Sequence, residues 1–198
     1  RTARPLPMVH VDAAGWRLEA QPDAVRIPGE DAPQGTALQL EHTVSRLRDR
    51  QGWRIDKLVG AWIRHLVVCT ARADVETRLL GLDTECRFRA LDPATARAHL
   101  ETLLAGWAAA LERPLPLAAA VAGAWLRAED QDQDPHAAAL RVLQGDGYHE
   151  AGELARRPAL ARAWPDPEAL LADPAMAHWS ARLYRPLLDT LSSAEDSA

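Results

Sequence analysis

Over the first third of the chain, apolar and polar residues alternate at period two, the spacing of half-buried strands. Val9 with Val11, Trp16 with Leu18 and Val25 with Ile27 mark three short strands, with turn chemistry between them at Ala14-Gly15 and Pro22-Asp23. Pro28-Gly29 closes this meander, and a polar loop runs to Gly35. A longer strand follows, with Leu38, Leu40, His42 and Val44 on its apolar face and Gln39, Glu41 and Thr43 on the other. From Asp56, a candidate N-cap, the period changes. Leu58, Trp62, Leu66 and Cys69 recur at helical spacing, as do Val59, Ile63 and Val67, so this helix is expected to be buried on two sides. Leu80 with Leu82, then Cys86, Phe88 and Ala90, give two more strands joined by a polar tip at Asp83-Thr84-Glu85.

Beyond residue 91 the pattern is helical. Four Asp-Pro pairs, at 92–93, 134–135, 166–167 and 173–174, each place a carboxylate N-cap before a proline at the first helical position. Proline loses no hydrogen bond there, because that N–H has no intrahelical partner. The helix from Pro93 is expected to bury Ala96, Leu100, Leu103, Leu104, Trp107 and Leu111, and Pro114 and Pro116 stop it. The last helix, from Pro174, shows Met176, Trp179, Leu183 and Leu187, with Pro186 bending it, before an acidic tail from Ser192. Strands, one wide buried helix, two strands and then helices predict an α+β fold with a mixed sheet. The expected organisation is a core over residues 1–130 and a helical carboxy-terminal extension over 131–198 packed on the same domain.

The length of 198 residues suits one such domain with an annex, and a hydrophobic fraction of 47% supports a packed core. No run of 18 apolar residues occurs, which argues against a membrane helix. No apolar segment follows Arg1–Pro5, so no signal peptide is expected, and the missing initiator Met points to a segment of a longer protein. Cys69 and Cys86 read as buried thiols in a reducing cytoplasm rather than as a disulfide or a zinc site. The net charge of −5 is uneven: residues 1–99 carry +2 and residues 100–198 carry −7. A polyanion would therefore meet the first half.

The order strand–strand–helix–strand invites a test for a metal-dependent nuclease core, which needs an Asp and an Asp/Glu-x-Lys on neighbouring strands to hold Mg²⁺ beside a lysine. The one lysine, Lys57, follows Ile55-Asp56 at a helix start, and the strand that would carry the motif reads Leu40-Glu41-His42-Thr43. Glu19 and Asp23 are candidate remnants, and Asp83 with Glu85 are close enough in sequence to share a cation, although solvated turn carboxylates are the plainer reading. No catalytic residue, metal site or cofactor is assigned. Gly145-Asp146-Gly147 and Gly152 lack the preceding strand and the Lys-Ser/Thr of a phosphate-binding loop. The serines lack the glycines of a nucleophile elbow.

A basic run is more informative. Arg46, Arg48, Arg50, Arg54 and Lys57, with Arg64 beyond, are the candidate DNA-binding residues, because period-two arginines on an extended segment can track a phosphate backbone. An ordinary charged loop or a docking surface for an acidic partner is the alternative. Seven tryptophans are many for this length. Trp62, Trp125 and Trp179, with His65 beside the wide helix face, are candidate partner-interface anchors, with core packing as the other reading.

Several stretches resemble the RecC family in order and spacing. They are Gly15-Trp16 with Gln21-Pro22-Asp23, Ala61-Trp62-Ile63-Arg64-His65-Leu66-Val67-Val68-Cys69, and Phe88-Arg89-Ala90-Leu91. Then come Leu104-Ala105-Gly106-Trp107 leading to Arg113-Pro114-Leu115-Pro116-Leu117, Gly123-Ala124-Trp125-Leu126, and Tyr184-Arg185-Pro186-Leu187-Leu188. The resemblance covers about residues 15–190. It implies the carboxy-terminal domain of the gamma subunit of exodeoxyribonuclease V, a degenerate PD-(D/E)XK nuclease-like core without catalytic residues. It also implies a heterotrimer with RecB and RecD, DNA near the strand-separation point, and a role in double-strand break repair and linear DNA degradation. Two alternatives remain open: an active Mg²⁺-dependent nuclease in which Lys57 reaches the carboxylates, and a protein-docking module without DNA contact.

Overall fold

The computed structural model describes residues 2–22, 25–27, 36–145 and 151–192. The expected turn at Asp23, the Pro28-Gly29 closure with the loop to Gly35, the loop at 146–150 and the tail from Ser193 lie outside them. The first strands are β1 (Thr2–Arg4), β2 (Val9–Ala13), β3 (Trp16–Ala20), β4 (Val25–Ile27) and β5 (Ala37–His42). A small hairpin of β6 (Arg48–Asp49) and β7 (Gly52–Trp53) leads into helix α1 (Ile55–Ala71), followed by β8 (Val75–Leu80) and β9 (Glu85–Phe88). Helices α2 (Pro93–Glu112), α3 (Ala119–Asp130), α4 (Pro135–Gln144), α5 (Glu153–Arg156), α6 (Pro158–Ala163), α7 (Pro167–Ala172) and α8 (Pro174–Thr190) precede a last strand, β10 (Leu191–Ser192). The fold is α+β.

The main sheet has six strands in the order β1-β4-β5-β8-β9-β10. The β5–β8 pair is parallel, with Leu40 opposite Arg78, and the other pairings are antiparallel. A parallel pair needs a crossover, which α1 supplies. The first three predicted strands do not form one meander. β2 and β3 make a separate hairpin, closed by Ala14 and Gly15 at φ 51° and 78°, while β4 joins the main sheet. Two successive positive φ values are what a two-residue hairpin turn of type I′ requires.

Cys86 and Phe88 on β9 face inward as the alternation predicts, but the inward face of β5 and β8 is the opposite of the predicted one. Ala37 and Gln39 on β5 and Val75, Thr77 and Leu79 on β8 are buried, whereas Leu40 is 48% and Val44 84% exposed. Leu80 and Leu82 likewise face outward. Polar Gln39 and Thr77 can occupy the interior because each finds a hydrogen-bond partner there. Helix α1 starts two residues earlier than expected, so Asp56 lies in its first turn and Arg54 is its N-cap. It buries one wide face through Ile55, Leu58, Trp62 and Leu66, with Ile63 left exposed.

Two compact units form, one from residues 1–108 with 187–198 and one from residues 109–186, whereas the sequence pattern divides the chain after residue 130. The first holds the sheet, α1 and a core that includes Trp62, Leu66, Cys86 and Phe88. In the second, α3, α4 and α7 enclose Val121, Ala139, Leu143, Leu170, Leu171 and Met176. All four Asp-Pro pairs cap helices as predicted: Asp92 accepts from the Thr95 N–H, Asp134 from His136 and Ala137, Asp166 from Glu168, and Asp173 from Ala175. On α2 the expected apolar stripe is only partly buried. Ala96 and Leu100 turn inward, but Trp107 and Leu111 are more than half exposed.

Candidate functional site

Two features of the first unit bear on chemistry. One is a line of polar side chains between the sheet and α1. Glu41, at the end of β5, takes hydrogen bonds on Oε2 from the Arg64 guanidinium and on Oε1 from Gln39 Nε2 at 3.0 Å. The Thr77 hydroxyl donates to Gln39 Oε1 at 2.9 Å and lies 2.8 Å from His65 Nδ1, and His65 Nε2 lies 3.0 Å from the Arg89 carbonyl. The imidazole packs against the rings of Trp62 and Phe88, at 5.6 and 5.5 Å between centroids, and those two rings touch each other at 5.9 Å. With its one hydrogen given to Gln39, the Thr77 hydroxyl must accept from Nδ1–H. A neutral ring then has no hydrogen left for the Arg89 carbonyl, whereas an imidazolium would serve both. Burying an uncompensated charge costs several kcal/mol against roughly one for a hydrogen bond, so the neutral ring wins. Burial accordingly pushes His65 down to about 4, opposed by the Arg89 carbonyl.

The described candidate carboxylates lie apart from one another, each with its own partners. Glu41 is the acidic residue on the central parallel strand, and Arg64 and Gln39 occupy its oxygens. Glu19 stands on β3, 3.7 Å from His10, and Asp23 lies outside the described residues. Asp83 and Glu85 do not share a cation site. Asp83 accepts from the backbone N–H groups of Leu47 and Arg48 at 2.8 and 3.1 Å, while Glu85 faces Arg87 at 2.5 Å and Arg78 at 3.7 Å. Lys57 Nζ is held 3.0 Å from Asp56, with Arg54 at 3.6 Å from the same carboxylate. Among the described residues no group of three His, Cys, Asp or Glu side chains could hold a metal ion. Burial raises the thiols of Cys69 and Cys86 to about 11 and about 12, so both are neutral at physiological pH.

The second feature is the basic hairpin. Arg46, Arg48 and Arg50 are exposed, although only Arg48 lies in a strand, and Arg50 sits in the turn between β6 and β7. The Arg48 guanidinium covers the Trp53 ring at 4.8 Å. Leu47 between the arginines is fully buried, so this stretch is anchored through its one apolar side chain. Sequence reasoning finds the arginines but misses the hairpin and its attachment, because the residues that hold it lie some 35 positions away.

A family model described as the RecC C-terminal domain matches residues 1–130. The chain belongs to the RecC C-terminal domain family. No curated protein matches it. RecC is a subunit of the RecBCD complex, an exonuclease–helicase, and the domain is therefore part of such a subunit. No helix among the described residues is long and apolar enough to cross a membrane.

Of the residues expected to anchor partners, the RecC-family domain buries Trp62 and His65 in its own core. That leaves Trp125 and Trp179, both half-buried in the second unit. Trp125 Nε1 donates to Glu129 at 2.7 Å. Trp179 lies under the Arg182 guanidinium at 5.2 Å and against the edge of His178.

Proposed function

We propose that this RecC-family domain is a non-catalytic, nuclease-like module of the RecBCD complex that braces the RecB and RecD subunits and guides DNA near the point of strand separation. In this reading it works in the cytoplasm, in double-strand break repair by recombination and in degradation of linear DNA. The observation that carries the non-catalytic part is the state of Glu41. A strand carboxylate serving Mg²⁺ must present free oxygens, and here both are taken by Arg64 and Gln39, two residues ahead of Thr43 rather than of a lysine. The parallel β5–α1–β8 arrangement supports a nuclease-like ancestry for the core. The guiding part rests on the exposed arginines at 46, 48 and 50, with Arg54 and Lys57 at the foot of the same hairpin.

Forked DNA titrated at several salt concentrations tests the guiding role. Arg46→Ala, Arg48→Ala and Arg50→Ala combined should weaken binding and lower the salt slope by about 0.9 for each phosphate no longer neutralised. An unchanged slope would remove DNA from the proposal. A nicking assay with Mg²⁺ or Mn²⁺ tests the rest: cleavage that Lys57→Ala abolishes would establish an active nuclease instead. Trp125→Ala and Trp179→Ala should weaken capture of RecB or RecD in a pull-down, and undiminished capture by both would move the bracing surface elsewhere.

A further inference from the structure

The segment between β5 and the basic hairpin is fastened to the β8–β9 turn by a continuous row of hydrogen bonds. The Thr43 N–H donates to the Leu80 carbonyl at 2.9 Å, and the Leu82 N–H to the Ser45 carbonyl at 3.1 Å. The row ends on Asp83, whose Oδ1 takes the Leu47 N–H at 2.8 Å and whose Oδ2 takes the Arg48 N–H at 3.1 Å. The Arg54 N–H then donates to the Leu47 carbonyl at 2.9 Å, so the base of the hairpin is closed on both sides. Leu47, wholly buried, sits against Gly81, where a Cβ would overlap its side chain. Asp83 itself is exposed, and these N–H bonds, that of Leu47 first, hold its carboxyl below the usual carboxylate range, with Arg46 adding to the effect.

An acidic side chain beside three arginines should by charge alone repel a polyanion. Its hydrogen bonds argue for the opposite effect. We infer that Asp83 is the positioning residue of the arginine hairpin, fixing the backbone between Arg46 and Arg48 so that Arg46, Arg48 and Arg50 are presented together to the phosphates of a nucleic acid. The inference rests on the DNA-guiding reading above. Both carboxylate oxygens are used, because each receives one N–H. The arrangement also makes the cationic side chains cheaper to order, since the backbone between them is already hydrogen-bonded in place when the ligand arrives.

The two roles for Asp83 predict opposite signs. If it were only a surface charge, Asp83→Ala would relieve repulsion and tighten binding to forked DNA. As a positioning residue its loss frees the hairpin, and binding should weaken by about threefold to tenfold despite the gain of positive charge. Asp83→Asn keeps one acceptor oxygen and should fall between wild type and alanine. Amide hydrogen exchange on the same proteins supplies the independent readout: the Leu47 and Arg48 amides should lose protection in Asp83→Ala while those of α1 keep theirs. Tighter binding by Asp83→Ala, or unchanged exchange at Leu47 and Arg48, overturns the inference. Failure of the wild-type domain to bind forked DNA, with protection at these amides still lost in the variant, would instead sink the DNA-guiding reading and leave Asp83 as the clasp of the hairpin alone.

Discussion

Acidification should weaken the first unit through His65. The ring is fully buried against Trp62 and Phe88, and its pKa falls from 6.5 to about 4 because burial opposes the charged form. A histidine with a folded-state pKa below its unfolded value contributes stability that is complete above the unfolded pKa and is lost as pH falls toward the folded one. The unfolded chain takes up a proton near 6.5 that the folded unit refuses until about 4. Going from pH 7 to pH 5 should therefore cost about 2 kcal/mol. The loss saturates at about 3 kcal/mol below the folded pKa. His99, half-buried and also shifted down by burial, acts in the same direction, so the wild type alone does not isolate the effect. Asp83 and Asp92 are shifted down from 3.8, and their contribution is lost only at more acid pH. Urea unfolding followed by circular dichroism at both pH values, for wild type and His65→Gln, gives the difference directly. The variant should be less stable at pH 7 and should lose about 2 kcal/mol less on acidification. Equal pH slopes for the two proteins, or an imidazole resonance of His65 that titrates near 6.5, would refute the burial argument.

Thr77→Val removes the hydroxyl that joins Gln39 to His65, leaving two buried polar atoms without their partner. Urea unfolding should show a loss of about 2 kcal/mol. Gly81→Ala drives a Cβ into the Leu47 side chain and to 3.0 Å from the Ser45 carbonyl oxygen, and should cost about 1–3 kcal/mol while increasing amide exchange along 45–54. Asp134→Ala leaves the His136 and Ala137 N–H groups of α4 uncapped and should lower stability of the second unit by about 1 kcal/mol, measured by thermal unfolding.

What the sequence disclosed and what it hid divide along sequence distance. The four Asp-Pro caps were legible because cap and helix are adjacent, and the chemistry is complete within three or four residues. The Ala14-Gly15 turn was legible for the same reason. The inward face of β5 and β8 was not. Period-two reasoning assigns leucines to the interior, and it fails where Gln39 and Glu41 meet partners on β8 and α1 that lie 38 and 23 positions away. Trp107 was misplaced because a helical stripe shows which residues share a face but not whether anything covers it. The short strands β1 and β10 carry too few residues to display alternation at all. For the candidate site, the arginines were visible as a charge pattern, while their fastening to Asp83 depends on two loops brought together by the parallel β5–β8 pairing.

Strand β10 comes from the far end of the chain and hydrogen-bonds to β9, with Leu191 opposite Phe88. The second unit, residues 109–186, is thus an insertion between the penultimate and final contributions to one sheet. During synthesis the β9 margin must wait, bare, for about a hundred further residues, so this sheet is among the last parts of the domain to be finished. A fragment ending at residue 130, where the family match stops, would keep every arginine of the hairpin yet leave that margin open to pairing with other chains.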